Sequence, residues 1–186
     1  MIHPTATKVL VCAAGRHNAT MEIAVEIADR IEHVLGHVQV DVLTVAHVGS
    51  LEPYRAVVVG SAVYRGHWLA ESLNLVRTNA ADLRTKDVWL FSSGPVGDAP
   101  KLGKPPAEID ELMDLTHAHE HVVFEGRLDR HLLTWPQRVA AHALRAEPGD
   151  HRDWPRIEQW ARGIGHHLAS AVQDETPVRP RDPRTW

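Results

Sequence analysis

Residues 8–14, KVLVCAA, form an apolar run without a polar face, too short for a core helix. A run of that kind predicts a strand covered on both sides, which parallel sheets flanked by helices provide. From Ala19 onward Ile23, Ile27, Ile31 and Val34 recur on one helical face, with Ala24, Ala28 and Leu35 beside them, and Gly36 supplies the stop. The first 36 residues therefore predict a β-loop-α unit.

The unit recurs. Residues 38–43 alternate as a strand, 56–59 are an apolar strand closed by Gly60, and 68–83 have helical periodicity through Leu69, Leu73, Val76 and Ala80. Residues 88–91 predict a fourth strand, 105–116 a helix with proline near its first turn, and 122–124 a fifth strand. Residues 153–172 place Trp154, Ile157, Trp160, Ala161, Ile164 and Leu168 on one face of a terminal helix. Five strands alternating with helices predict an α/β fold, a doubly wound five-stranded parallel sheet with helices on both faces. The 186 residues suit one domain, expected over 1–172. An insert at 126–152 is too long for an ordinary connection, and the proline- and charge-rich stretch 173–186 is expected to be a disordered tail.

Composition removes several classes of function. With 20 Lys and Arg against 24 Asp and Glu, the net charge of −4 gives no general attraction for nucleic acid. Cys12 is the single cysteine, which fits a cytoplasmic protein with a buried, unreactive thiol. No signal peptide is expected, and no stretch approaches the roughly 20 apolar residues that cross a bilayer.

In a sheet of this type ligands sit beyond the carboxyl ends of the strands, so three loops carry the chemistry. The first, residues 15–20, runs into a helix whose amides attract phosphate, and Arg16, His17 and Thr20 add charge and a hydroxyl. The second, residues 61–67, combines small residues with Tyr64, His67 and the following Trp68, which suits a flat ring. The third, residues 92–103, has glycines and prolines that expose backbone amides. No Walker loop, no Gly-x-Gly-x-x-Gly after the first strand and no Gly-x-Ser-x-Gly elbow occurs, which leaves mononucleotide binding. The competing reading of the first loop is a plain turn with Asn18 or Thr20 as a helix cap.

His117, His119 and His121 alternate at a strand start, a spacing that lets two or three share a face and meet a metal; exposed histidines need no ion, and no metal is expected. Residues 126–152 mix Leu128, Leu132, Leu133, Trp135, Val139 and Leu144 with Arg127, Arg130, Arg138 and Arg145. That is a basic amphipathic pattern suited to a membrane surface, a quinone or an acidic substrate, and equally to packing on the protein's own sheet.

The VVVGSAVYRGHW block at 57–68, VWLFSSGPVGD at 88–98, and the EGRLDR and GDHRDW segments make the chain similar to flavodoxin-fold proteins. Within that fold it resembles the flavodoxin-like, quinone-dependent protoporphyrinogen oxidases over residues 8–168. The resemblance implies FMN as cofactor, with Arg16, His17, Asn18, Ala19 and Thr20 holding its phosphate. It also implies that Ser61, Ala62, Val63, Tyr64, Arg65 and Gly66 from the second loop flank the isoalloxazine ring. Ser92, Ser93, Gly94, Pro95, Val96 and Gly97 from the third loop would complete that flank. The function so implied is flavin-dependent transfer of electrons from a reduced organic substrate, a porphyrinogen, to a quinone or protein acceptor, with peripheral membrane contact through 126–152. No side chain is required as acid or base, so no catalytic residue is named. Against the usual several hydroxyls of a flavodoxin phosphate loop, this loop has only Thr20. A flavodoxin-fold binding module with weakened or lost FMN binding, and a small flavodoxin-type electron carrier, are the alternative readings.

Overall fold

The computed structural model describes residues 8–16, 18–94, 105–128 and 149–174. His17, Pro95, Val96, Gly97, most of the expected insert and nearly all of the expected tail lie outside the described residues.

Strand β1 (Lys8–Ala14) leads into helix α1 (Ala19–Leu35), and β2 (Val40–Thr44) follows. Strand β3 (Tyr54–Tyr64) turns back into the short β4 (His67–Trp68), after which come α2 (Ala70–Thr78) and α3 (Ala80–Leu83). Strand β5 (Asp87–Ser93), helix α4 (Ile109–Thr116), strand β6 (Glu120–Phe124) and the long α5 (Trp154–Asp174) complete the main layers. The central sheet runs β2-β1-β3-β5-β6, all parallel, with β4 antiparallel on the end of β3. The expected doubly wound sheet is therefore present.

Alternation along β1 explains why KVLVCAA has no polar face. Val9, Val11 and Ala13 join the core under α1 and α5, whereas Leu10, Cys12 and Ala14 join the opposite core with residues of α2 and α4. Burial pushes the Cys12 thiol up to about 12, so it stays protonated and inert. Between β3 and β5 a side chain fills the space over a glycine. A Cβ added to Gly60 would fall 2.1 Å from Cζ of Phe91, so the Phe91 ring occupies the space a side chain at residue 60 would need.

Three expectations about local structure are corrected. Strand β3 does not stop at Gly60 but continues to Tyr64, because Ala62 and Ser93 are paired in the ladder and Val63 and Tyr64 pair with β4. The stretch 68–83 is not one helix: Trp68 is a strand residue, and the helical part breaks at Asn79 into α2 and α3. Helix α4 begins at Ile109 rather than at Pro105, four residues later than the periodicity suggests.

Candidate functional site

The sheet register brings the loop-bearing strand ends level with one another. Ala14 lies opposite Ser61, Ser61 opposite Ser92, and Ser93 opposite Phe124, so the loops after β1, β3 and β5 leave one edge side by side. That is the crevice in which open α/β sheets bind ligands.

The first loop is a short strand-to-helix turn. Asn18 has φ 55° and ψ −21°, the left-handed conformation that asparagine tolerates better than most residues, and its side chain makes no capping hydrogen bond to α1. The capping role considered for Asn18 is therefore not used. Thr20 is buried, and a Cβ on Gly15 would lie 2.8 Å from its Oγ1, so Gly15 lets the loop close over that hydroxyl. Arg16 is exposed and reaches across to the second loop, its guanidinium carbon 4.9 Å from the centroid of Tyr64.

The second loop is a two-residue hairpin. Tyr64 pairs with His67, and the connecting Arg65 and Gly66 have φ 54° and 83°, the positive pair that suits the right-handed twist of the flanking strands. Tyr64 is half-buried, and desolvation raises its phenol above the usual tyrosine value despite the opposing pull of Arg16. Val63 is partly exposed beside it, Ala62 is buried, and Arg65 and Gly66 are exposed at the tip. Ala107 donates its backbone N–H to the Gly66 carbonyl at 3.2 Å, and His67 Nδ1 lies 2.5 Å from Glu108 Oε1, so the segment before α4 braces the hairpin.

The hydroxyls of Ser61 and Ser92 are hydrogen-bonded within the protein frame. The Ser61 hydroxyl accepts from the Leu69 amide at 2.9 Å. Trp68 Nε1 donates to Ser92 Oγ at 2.8 Å, and Ser92 in turn lies 2.8 Å from His121 Nε2. Ser92 accepts from Trp68 and shares a second hydrogen bond with His121 Nε2, whose direction follows the tautomer of the neutral ring. Burial lowers His121 to about 4, in keeping with that neutral state. Ser93 is buried, and Gly94, with φ 103°, lies 3.7 Å from the Val63 carbonyl when a Cβ is built on it, so the second and third loops touch there.

Arg152 is a member of this region that the sequence did not single out. Its guanidinium binds Asp150 through Nε at 2.7 Å and Nη2 at 2.5 Å, and Glu22 through Nη1 at 2.6 Å; it also stacks over Trp154 at 4.4 Å. The side chain is 3% exposed. Strands β7 (Arg127–Leu128) and β8 (Gly149–Asp150) pair antiparallel and carry it to the first turn of α1. The available signal was GDHRDW, in which an arginine is flanked by aspartates two residues before and one after.

The three alternating histidines do not assemble. His117 meets Arg84, His119 meets Asp87, and His121 meets Ser92.

The donor set suits a phosphorylated planar ligand: a helix start whose cap residue makes no side-chain bond, an exposed arginine beside it, and a hairpin carrying Tyr64 at ring distance from that arginine. The sequence matches the flavodoxin domain family over residues 10–154. The chain belongs to that family. Among solved structures it is similar to a flavodoxin from the domain Archaea, at 18% identity and a TM-score of 0.57, over 88% of this chain and 99% of that one. It is similar to oxidised flavodoxin 1 from Bacillus cereus, at 16% identity and a TM-score of 0.55, over 87% and 99%. It also resembles the rubredoxin oxygen oxidoreductase of Desulfovibrio gigas, at 13% identity and a TM-score of 0.62, over 89% of this chain but 37% of that larger one. Comparison with curated proteins gives no match. Among the described residues no helix is long and apolar enough to cross a membrane.

Proposed function

We propose that this flavodoxin-domain protein binds FMN in the crevice beyond β1, β3 and β5 and works as an oxidoreductase between a reduced organic substrate and a quinone or protein acceptor. The observation that carries the reading is the Arg16–Tyr64 stack, which spans from the phosphate loop to the ring loop. When bound, FMN supplies the redox chemistry itself. The chain's residues hold and orient it. The start of α1, with the Arg16 guanidinium and the backbone amides of Asn18, Ala19 and Thr20, takes the phosphate, Tyr64 supplies an aromatic flank, and the hairpin tip at Arg65 and Gly66 presents backbone to the ring. Gly94 gives the third loop its turn beside Val63.

The resemblance to quinone-dependent protoporphyrinogen oxidases names the finer reading: a porphyrinogen gives up electrons and protons in pairs, and the quinone takes up each pair as quinol. Contact with a membrane surface through residues 126–152 belongs to that finer reading.

A reading without flavin rests on Thr20. The loop's one hydroxyl residue is 3% exposed and lies against Gly15, so its hydroxyl is poorly placed for a phosphate. The visible spectrum of the purified full chain, before and after adding FMN, separates the two. Co-purifying flavin or saturable uptake, weakened about tenfold or more by Arg16→Ala, supports the proposal. Absence of both overturns it.

A further inference from the structure

At the other end of the sheet, where β5 begins, three elements bring potential metal ligands together. Asp87 is the first residue of β5, His119 sits just before β6, and His167 projects from α5. One ligand atom from each lies within 4.8 Å of the other two. His119 Nε2 is 2.9 Å from Asp87 Oδ1, and His167 Nε2 is 3.6 Å from the same oxygen. Ligands bound tetrahedrally at about 2.0–2.1 Å stand about 3.4 Å apart, a spacing those two distances bracket.

We propose that Asp87, His119 and His167 form a binding site for a divalent transition metal of the zinc class, held by two imidazoles and one carboxylate. The ligand set suits Zn2+ chemically, since imidazole and carboxylate are both common zinc ligands, and the partial exposure of both histidines leaves a further position for water. Two features hold the ligands in place without metal. Trp89 packs against both rings, tilted on His119 at 4.8 Å and edge-on to His167 at 5.4 Å between centroids, and the two imidazoles are 4.5 Å apart. Arg55 Nε stands 3.8 Å from the other carboxylate oxygen, Oδ2, and so helps to orient Oδ1 toward the histidines.

Binding requires both Nε2 atoms as lone-pair donors, with the ring proton on Nδ1. An ion here ties the start of β5 to the approach to β6 and to α5. Strand β5 is seven residues long, which puts the metal about 20 Å from the edge that carries the flavin crevice. The proposal is therefore independent of whether FMN binds.

The test uses the full chain without an affinity tag, stripped with chelator and titrated with Zn2+ against a chromophoric competitor. The wild type is expected to bind one equivalent that His167→Ala weakens at least tenfold and His119→Ala/His167→Ala abolishes, while His117→Ala leaves it intact. Saturating Zn2+ is expected to raise Tm by several degrees in the wild type only. With 15N-labelled histidine, Zn2+ is expected to move the Nε2 resonances of His119 and His167 alone at one equivalent. Equal stoichiometry and affinity in wild type and the double variant, or unmoved Nε2 signals in the wild type, would overturn the proposal. The exposed His167→Ala change and the NMR readout keep the test decisive even if the double variant folds poorly.

Discussion

Trp68 Nε1 and Ser92 Oγ are joined by a 2.8 Å hydrogen bond that ties β4 to the end of β5, and His121 completes the chain on the far side of Ser92. The hairpin that braces the proposed cleft is thereby fixed from inside the core and not only by its own turn.

Ser92→Ala leaves the Trp68 N–H and the His121 nitrogen without their partner in a buried setting. The expected cost is about 1–3 kcal/mol, read as a lower urea midpoint at unchanged slope.

His121 should impose a pH dependence of known sign. The folded ring takes its proton only near pH 4 and the unfolded ring near 6.5, so between those values the unfolded state carries more protons and stability falls as pH falls. The full contribution is present above 6.5, and about 3 kcal/mol is lost by pH 4. Urea midpoints for wild type and His121→Asn across that range should converge toward low pH; parallel curves would disprove the assignment.

Gly60→Ala is expected to destabilise by about 1–3 kcal/mol or more, because the Phe91 ring occupies the position of the new methyl. Gly60→Ala/Phe91→Leu should recover part of the loss. Additive losses in the double-variant cycle would show that the two residues do not compete for the space.

Backbone strain at the cleft makes opposite predictions at two positions. Asn18→Ala puts alanine at φ 55° and should cost about 1 kcal/mol, whereas Arg65→Asn relieves a left-handed arginine in a hairpin turn and should stabilise by about 0.5–1 kcal/mol. Thermal unfolding of each variant checks the signs.

The layers of the fold were legible because the strands with both faces covered have no polar face, and because the Ile23, Ile27 and Ile31 stripe fits only a helix. What the sequence obscured was the β3–β4 hairpin. Arg65–Gly66 is a weaker turn signal than Asn-Gly, and Trp68 fits a helical stripe as well as a strand. Within the candidate site, Arg16 and Tyr64 stood out by residue type, whereas the burial of Ser61 and Ser92 did not, since a serine looks alike whether it faces solvent or braces a tryptophan. The roles of Arg152 and of Asp87 with His119 and His167 depend on partners far away in the chain, and no local pattern encodes them.

Arg152 reaches Glu22 across 130 residues of sequence, so the start of α1 acquires its full set of contacts only after the last third of the chain has docked. During synthesis the nascent sheet can form before that clasp closes. A truncated product ending before Asp150 would carry the strands of a flavodoxin domain with the first turn of α1 unlatched, and on the proposed reading its affinity for FMN would report whether that clasp between residues 22 and 152 has closed.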